Sequence, residues 1–339
     1  MRANRSAGAG LVAAVINFNT ATLTQRCTRS LAEAGVRRIL VLDNGSEPAD
    51  YDRLREEHAN EASVAVMRSD ANLGFAQGSN RVIAEALRDP ACERVLLVNS
   101  DAVVNASGLA ACLERMASEG HDLMGARMLK PGSGEVDSLG ITLYKSLLAS
   151  NRMSTGHAYL GPTGGFAVYS RRFLEEVARL HGYVFDPSYF CYAEDTDLCV
   201  RARLLGFSAG YSDELAAWHE GQASTTGEYS DFILYHGIRN SIWMVAKSIP
   251  CTVVLARLPW IVALHGGIVL RHLLQRRVRT LLRLYVDAVK ALPRVLRERR
   301  VVQASRRVSL AELRAHIDRR FYETAYVKGA LRDLVRRSP

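Results

Sequence analysis

The chain has 339 residues, of which 48% are hydrophobic and 23% are charged; this is ordinary for a globular protein and argues against disorder. Its six cysteines have no C-x-x-C spacing, which disfavours a zinc knuckle or a disulfide framework and favours reduced thiols in the cytosol. The net charge of +9 is concentrated in residues 271–339, which hold 19 basic and 6 acidic residues, so the tail predicts attraction to a polyanionic surface.

The N-terminal stretch contains Arg2 and Arg5 but leads straight into a strand-like run, without the hydrophobic region and cleavage site of a signal peptide. Over the first 130 residues, apolar runs alternate with helix-forming stretches. Strands are predicted at Leu11–Asn17, Arg37–Leu42, Ser63–Arg68 and Arg94–Val98, and helices at 20–34, 48–59 and 78–88. This alternation predicts an α/β fold with a mixed, mainly parallel, Rossmann-like sheet flanked by helices.

Polar residues concentrate where the predicted strands end, at 17–19, 43–46, 72–80 and 99–101. Open sheets of this type bind ligands at the carboxyl ends of their strands. No G-x-G-x-x-G follows the first strand, which disfavours a dinucleotide-binding dehydrogenase. We therefore expect a ligand site of another kind along this edge of the sheet.

Residues 128–165 lose the alternation and are rich in Gly and Ser, as expected of loops that line a site. A short strand at Ala167–Ser170 and a helix at Arg171–Leu180 follow. Three carboxylates, Glu194, Asp195 and Asp197, then stand at the predicted start of a helix. Acidic residues are favourable there even without a function, and Asp197 with Arg201 forms a possible i,i+4 pair.

After His219 the pattern is helical, with predicted breaks at Pro250, Pro259 and Pro293. Residues 258–270 carry no formal charge, but this run is shorter than the roughly 20 residues that a spanning helix needs. Flanking arginines and Trp260 favour a helix that lies in the membrane interface, and the alternative is a buried core helix beside a solvated basic one. The tail has few aromatic residues and no nucleic-acid motif, so we expect no nucleic-acid partner.

Seven short motifs occur in a fixed order. They are Ala14-Val-Ile-Asn17-Phe18-Asn19-Thr20, Val41-Leu-Asp43-Asn44-Gly45-Ser46, Asn72-Leu-Gly74 to Asn80, Leu97-Val-Asn99-Ser-Asp101, Gly164-Gly165-Phe166, Glu194-Asp195-x-Asp197 and His219-x-Gly221-x-x-Ser224. Together they resemble the family 2 inverting glycosyltransferases of the GT-A fold, with the rhamnosyltransferase-like members most similar. The resemblance covers residues 11 to about 245, including the Arg239-Asn240 pair.

The resemblance implies a nucleotide-sugar site at the ends of the strands. It assigns Asp43 to the N3–H of a uracil or thymine ring, although Asp-Asn-Gly-Ser is also a good turn sequence. Phe18 would lie beside the base, or in the core. The full set of implied nucleotide or donor-binding residues is Asn17, Phe18, Asn19, Asp43, Asn72, Gly74, Asn80, Asn99, Gly164 and Gly165.

The resemblance also implies a divalent cation, Mn²⁺ or Mg²⁺, bound by Asp101 and His219. Asp101 corresponds to the last acid of the family's D-x-D motif, whereas position 99 is Asn, a poorer ligand that could instead contact the sugar. The alternative for His219 is a buried imidazole with a structural role.

For catalysis the resemblance assigns the general base to Asp195 and places Glu194 beside the acceptor or the sugar. In an inverting displacement, a carboxylate must face the acceptor hydroxyl that attacks the anomeric carbon. Asp197 is expected to cap the helix or to pair with Arg201.

These observations predict a catalytic domain at 1–245 and a helical, basic, membrane-associating region at 246–339. The expected activity is transfer of a sugar, with rhamnose from dTDP-rhamnose as the best candidate, to a lipid-linked or polysaccharide acceptor of a bacterial cell-surface glycan. The expected place is the cytoplasmic face of the membrane, on an anionic surface. Two alternatives remain: a UDP-hexose or UDP-N-acetylhexosamine transferase of the same family, and a non-catalytic nucleotide-sugar-binding or scaffold protein.

Overall fold

The computed structural model describes residues 10–221 and 230–324. Arg2, Arg5, Ser224 of the last motif and the end of the basic tail lie outside these residues. The described strands are β1 (Leu11–Asn17), β2 (Arg38–Asn44), β3 (Val64–Ser69), β4 (Arg94–Asn99), β5 (Ala102–Val104), β6 (Leu123–Leu129), β7 (Val136–Ser138), β8 (Ile141–Leu143), β9 (Ala149–Asn151), β10 (Phe166–Ser170) and β11 (Ala209–His219).

The helices accompany these strands and then continue alone to the end of the described chain. They are α1 (Ala21–Glu33), α2 (Pro48–Glu57), α3 (Gly74–Leu87), α4 (Ala106–Glu119), α5 (Arg171–His181), α6 (Glu194–Leu204), α7 (Asp231–Ser248), α8 (Cys251–Leu274), α9 (Val278–Lys290), α10 (Leu292–Ala304) and α11 (Leu310–Ala315).

One mixed sheet organises the fold, with the strand order β3-β2-β1-β4-β10-β6-β11-β5 and with β7 paired to β6. The pairs from β3 to β4 are parallel, and so is β6 with β11. Strand β10 runs antiparallel to both of its neighbours. This arrangement confirms the predicted mainly parallel sheet with flanking helices.

Both faces of the sheet are buried, because alternate side chains of each central strand enter two separate cores. In β2, Leu40 and Leu42 pack on one face with α3, whereas Ile39 and Val41 pack on the other with α1 and α4. Helical cover on both sides explains why these strands are continuously apolar in sequence. The polar strand ends are therefore left at one edge of the sheet.

Several boundaries differ from the sequence expectation. Helix α3 begins at Gly74 rather than at residue 78, and the loop-rich segment 128–165 contains the short strands β7, β8 and β9. Strand β11 was not predicted. Its pairing with β6 is interrupted by register shifts around Asp213 and Glu214, and the bulge puts two exposed acidic residues in mid-strand.

The C-terminal helices correct two expectations. Helix α8 is continuous over 24 residues and passes through Pro259, so the predicted break there is wrong, and its most apolar 18-residue window has a mean hydropathy of 1.9. The expectation that this segment is too short to cross a membrane is also wrong, because the helix extends beyond the uncharged run on both sides. Helix α7 runs to Ser248, past the proposed domain boundary at 245/246.

Candidate active site

The first part of the candidate site lies where β1 and β2 end, with Asn17 and Asp43 opposite each other in the parallel register. The Asn17 amide nitrogen lies 3.0 Å from Asp43 Oδ1 and 2.9 Å from Asp50 Oδ2. Its amide oxygen accepts hydrogen bonds from the hydroxyls of Thr20 (3.1 Å) and Thr24 (2.7 Å). The Asn17 side chain is buried and hydrogen-bonded at both its nitrogen and its oxygen, so it holds the Asp43 carboxylate in a fixed position.

Asp43 keeps one oxygen available for a ligand. Among the described residues, its Oδ2 has no hydrogen-bond partner, and it lies 3.7 Å from Nε of Arg68. A buried acceptor without a partner is unfavourable, and an N–H donor from a ligand would satisfy it. The Asp43 side chain is fully buried whereas that of Arg68 is 40% exposed, so a nucleobase can reach Oδ2 only if Arg68 moves.

Phe18 and Asn19 form the turn that leaves β1. Phe18 is half-buried. Asn19 adopts a left-handed backbone (φ 56°), and its N–H donates to Ser46 Oγ (2.9 Å). Its side-chain oxygen accepts a hydrogen bond from the N–H of Glu47 (2.9 Å). Asn19, which is exposed, thus joins the end of β1 to the segment after β2.

Asn72, Gly74 and Asn80 lie at the start of α3. The side chain of Asn72 accepts a hydrogen bond from the N–H of Gly74 (2.8 Å). The amide of Asn80 pairs with both main-chain groups of Phe185, at 2.7 and 2.8 Å. These residues fasten α3 to the segment before α6, so they shape the wall of the site, and their proposed contact with the donor remains a prediction.

Asn99, Asp101 and His219 meet beyond the end of β4. His219 Nε2 lies 3.1 Å from Asp101 Oδ1 and 3.1 Å from the Asn99 amide nitrogen. Its other ring nitrogen, Nδ1, lies 2.9 Å from Oδ2 of Asp137 in β7. Burial opposes protonation of the ring, but hydrogen bonds to Asp101 and Asp137 outweigh it and raise the pKa of His219 to about 10.

These side chains are of the types that can hold a divalent cation. A carboxylate (Asp101), an imidazole (His219) and an amide (Asn99) converge, and Asp137 orients the ring by taking its Nδ1–H. No group of three His, Cys, Asp or Glu ligands is found within 10–221 and 230–324, so oxygens of a bound substrate or of water would have to complete the coordination.

Asp195 is the second residue of α6, and both of its oxygens accept main-chain hydrogen bonds. Oδ2 accepts from the N–H of Gly164 (3.0 Å) and Oδ1 from the N–H of Thr196 (2.6 Å). Burial raises the pKa of Asp195 more than these bonds lower it. Burial, followed by the nearby Asp195 charge, raises the pKa of Glu194 well above its usual value. Two adjacent carboxyl groups with raised pKa values are typical of a site that transfers protons.

Glycines at 164 and 165 link this acid pair to the candidate metal ligands. A Cβ at Gly164 would lie 2.9 Å from the Phe75 ring, so a larger residue there would have to displace that ring. The Gly165 carbonyl accepts a hydrogen bond from the N–H of Asn99 (3.2 Å). Asp195, Asp101 and His219 are therefore joined through β10 and β4, while Asp43 lies farther along the same edge, beyond β1.

Asp197 does not face this site. It is fully buried and bonds Arg201 Nε (2.8 Å), Lys247 Nζ (3.0 Å) and Ser248 Oγ (2.8 Å). Lys247 also donates to Asp186 at 2.6 Å. The predicted Asp197–Arg201 pair is confirmed, and it belongs to a buried ionic network that joins α6 to α7.

Two residues of this region, Asp137 and Lys247, were not predicted from the sequence. Asp137 was missed because it lies in a segment without periodicity, and only its partner His219 was identifiable by motif. Lys247 was missed because its partners are 50 and 61 residues away. The loss of alternation over 128–165 was the one signal available for Asp137.

The model of the family described as "Glycosyl transferase family 2" matches residues 13–178. The matched segment makes up slightly less than half of the chain.

Known proteins resemble the chain at a distance. The "Low-salt glycan biosynthesis hexosyltransferase Agl10" of Haloferax volcanii is 24% identical over 218 residues, which are 61% of this chain and 66% of that protein. The chain thus spans slightly less than two thirds of that relative's length.

Among solved structures, GalNAc-T7 with UDP, GalNAc and Mn²⁺ is similar with a TM-score of 0.54 and 12% identity, over 76% of this chain and 51% of that one. This similarity supports the fold alone. The mannosyltransferase PcManGT of Pyrobaculum calidifontis, in complex with GDP-Man and Mn²⁺, aligns over 96% of this chain and 81% of its own, with 14% identity and a TM-score of 0.48.

Proposed function

We propose that the protein is an inverting, cation-assisted glycosyltransferase that moves a sugar from a nucleotide sugar to a hydroxyl group of a glycan acceptor. The observation that carries this proposal is the placement of Asp195, a carboxyl group with a raised pKa that is held by Gly164 next to the end of β4. The match of residues 13–178 to the family model, the similarity to a hexosyltransferase and the Asp101–His219 pair support it further.

In the proposed reaction, Asp195 takes the proton of the acceptor hydroxyl as that oxygen bonds to the anomeric carbon. The bond between this carbon and the diphosphate breaks on the opposite face, so the configuration inverts. Asp101, His219 and Asn99 would hold the cation, which neutralises charge on the departing diphosphate. Glu194, whose Oε2 has no hydrogen-bond partner among the described residues, would contact the sugar or the acceptor.

The donor is proposed to be a dTDP- or UDP-sugar, because Asp43 can accept the N3–H that uracil and thymine present. Rhamnose is the favoured sugar on the resemblance alone, and a UDP-hexose or UDP-N-acetylhexosamine is the alternative. Calorimetry with dTDP, UDP and GDP, each with and without Mn²⁺ or Mg²⁺, separates these donors. Tightest binding of GDP would contradict the role of Asp43.

The acceptor is proposed to be a lipid-linked or polysaccharide glycan at the inner face of the membrane, with the helical region from 246 onward on an anionic surface. Helix α8 buries Leu264 and Ile268 against α7 and α9, whereas Leu255 and Val262 are 67% and 61% exposed. A helix that packs on the protein along one side and exposes apolar side chains on the other suits the membrane interface.

The test of the catalytic proposal is Asp195→Asn, which keeps the shape of the side chain and removes the base. We expect kcat for sugar transfer to fall by about 10²–10⁴-fold, the usual contribution of general base catalysis. Glu175→Gln is the matched control, since Glu175 forms an exposed i,i+4 pair with Arg171 on α5.

One observation favours a second candidate, a nucleotide-sugar-binding protein without catalysis: position 99 is an amide where the family's metal motif has a carboxylate. The same variant separates the two. If the native protein transfers sugar and Asp195→Asn does so with little loss of rate, Asp195 is not the general base. Nucleotide binding without any transfer by the native protein would favour the second candidate.

A further inference from the structure

The segment directly before the two acids of α6 has an unusual backbone. Phe190 has φ 64° and ψ −67°, and Tyr192 and Ala193 have φ values of 66° and 65°. Residues with side chains rarely adopt such values, and runs of them persist only where other contacts enforce them. The N–H of Cys191 donates to the Tyr189 carbonyl (2.8 Å), which closes a tight γ-turn around Phe190. Residues 189–193, here called the strained loop, therefore need an external restraint.

One side chain of α7 supplies that restraint. Asn240 is fully buried, and its amide nitrogen lies 2.9, 2.8 and 2.8 Å from the carbonyl oxygens of Tyr189, Cys191 and Tyr192. The orientation of this amide is determined by Arg239, whose Nε and terminal nitrogen donate to Asn240 Oδ1 at 3.0 and 2.8 Å. Because a guanidinium only donates, the amide oxygen must face Arg239 and the NH₂ group must face the strained loop.

The carbonyl of Phe190, within the strained loop, is held by a different helix. Phe190 C=O accepts a hydrogen bond from the N–H of Ala76 in α3 (3.1 Å). A Cβ at Gly74 would lie 2.5 Å from both the ring and the carbonyl oxygen of Phe190, so the glycine motif at the start of α3 permits this contact. The strained loop is thus clamped between α3 and α7.

We propose that Asn240 is a positioning residue for sugar transfer, because it holds the strained loop in the conformation that directs Asp195 toward the acceptor beside Gly164. The inference rests on the proposed function, since it assigns a task to the neighbour of the base. Position 240 needs an acceptor for Arg239 and N–H donors for the carbonyls of the strained loop on one short planar group. Asparagine meets both needs, with its two N–H groups shared among the three carbonyls. Aspartate, which has the same shape, meets only the first.

The experiment compares Asn240→Asp with the native residue in a Cys251→Ser background. Cys251 is the exposed cysteine and Cys27, Cys92, Cys112 and Cys199 are buried, so alkylation of the partly buried Cys191 then reports opening of the strained loop. We expect Cys191 in Asn240→Asp to react with iodoacetamide at least about tenfold faster, as the loop opens locally. The kcat for transfer should fall by about 10²-fold with KM for the donor within about threefold.

Leu234→Ala is the control for a general loss of stability. Leu234 is buried on the same helix, in the cluster with Leu264 and Leu284 that lies away from the strained loop. This variant should lower Tm while kcat and the Cys191 alkylation rate stay at the native level. If Asn240→Asp does not fold by circular dichroism, Asn240→Gln, which keeps the amide on a longer chain, replaces it with the same expected changes.

Native kcat or a native Cys191 alkylation rate in the folded variant would overturn the inference. So would failure of both variants to fold, because Asn240 would then support the whole fold rather than the strained loop. Asp195→Asn, measured alongside, keeps the two proposals separable. Persistent transfer by Asp195→Asn contradicts the proposed base, whereas an inactive Asp195→Asn with a fully active Asn240→Asp contradicts only the positioning role.

Discussion

Two carboxylates of α6, only two residues apart, have opposite electrostatic environments. Burial raises the pKa of Asp195, whose hydrogen-bond donors among the described residues are the main-chain N–H groups of Gly164 and Thr196 and the Thr196 hydroxyl. Asp197 is also buried, but the positive charges of Lys247 and Arg201 outweigh burial and lower its pKa. A carboxylate paired with two cations is a poor base, so the environment favours Asp195 over Asp197 as the proposed base.

Some contacts between individual residues could be predicted from the sequence, and others could not. The Asp197–Arg201 pair was predictable because helical spacing places i and i+4 together. The partners of His219 include Asp101, identified through its own motif, and Asp137, which has none. A contact between residues far apart in sequence and outside any motif leaves no local pattern, and Asp137 therefore emerged only from the fold.

Asp137→Ala should weaken cation binding without removing a direct ligand. Loss of the Nδ1 partner frees the His219 ring to rotate, and such partners typically contribute about 10–100-fold to metal affinity. Calorimetric titration of Mn²⁺ in the presence of UDP or dTDP measures the change. Asp213→Asn, an exposed acid on β11 paired with Arg127, is the control. An unchanged Mn²⁺ Kd in Asp137→Ala would show that Asp137 does not orient the imidazole.

At the scale of elements, the buried ionic network couples the helix of the candidate base to the first C-terminal helix. Lys247 on α7 contacts both Asp197 on α6 and Asp186 before it, at 3.0 and 2.6 Å. The Lys247 side chain is 1% exposed, so each charge depends on its partners for compensation. Helix α7 is therefore held to the helix of the candidate base, and we propose that the junction with the C-terminal region lies after Ser248 rather than at 245/246.

Lys247→Met should destabilise the protein by about 3–5 kcal/mol, because it leaves two buried carboxylates without their shared cation. Chemical denaturation measures this loss, and Lys290→Met, an exposed lysine at the end of α9, should stay within about 0.5 kcal/mol of the native value. A loss below about 1 kcal/mol for Lys247→Met would contradict the network's role.

The same network predicts acid sensitivity. Burial opposes ionisation of Asp186, but the Lys247 charge outweighs it and lowers the pKa of Asp186 to about 2. A carboxyl group whose folded pKa is depressed stabilises the fold above its unfolded value of 3.8, and this stability is lost as the pH falls toward 2. The unfolding free energy of Lys247→Met should therefore depend less on pH between about 4 and 2 than that of the native chain.

Elements were predictable where their periodicity was unbroken. Strands β1 to β4 followed from apolar runs, because both of their faces are covered. Strand β11 was hidden by its bulge at Asp213 and Glu214, and the length of α8 was underestimated because Arg257 and Arg271 lie within the helix rather than outside it. A charged residue inside a helix and a bulge inside a strand both interrupt the local hydrophobic pattern. The sequence pattern alone therefore does not show that the helix or the strand continues through them.

The whole molecule combines a near-neutral catalytic body with a basic region that exposes apolar side chains. On α9, Leu282, Val286 and Val289 follow one another at i, i+4 and i+7 and are 62%, 46% and 63% exposed. Helix α8 also exposes apolar side chains, Leu255 and Val262 among them, and both helices carry arginines. We expect these side chains to form an apolar surface with basic residues at its border. Apolar contact and attraction to anionic lipids act together at such a surface, so binding should require both.

Leu255→Glu combined with Leu282→Glu should release the protein from anionic vesicles, because each substitution puts a negative charge on the apolar surface of one helix. Flotation with phosphatidylglycerol–phosphatidylcholine vesicles measures this. Native protein should bind less to phosphatidylcholine alone and less again at high salt, since the attraction to anionic headgroups is screened. Met153→Glu, at an apolar residue of the catalytic unit that is 42% exposed, is the matched control and should leave flotation unchanged. Equal flotation of the double variant and the native chain would mean that these two helices do not form the membrane contact.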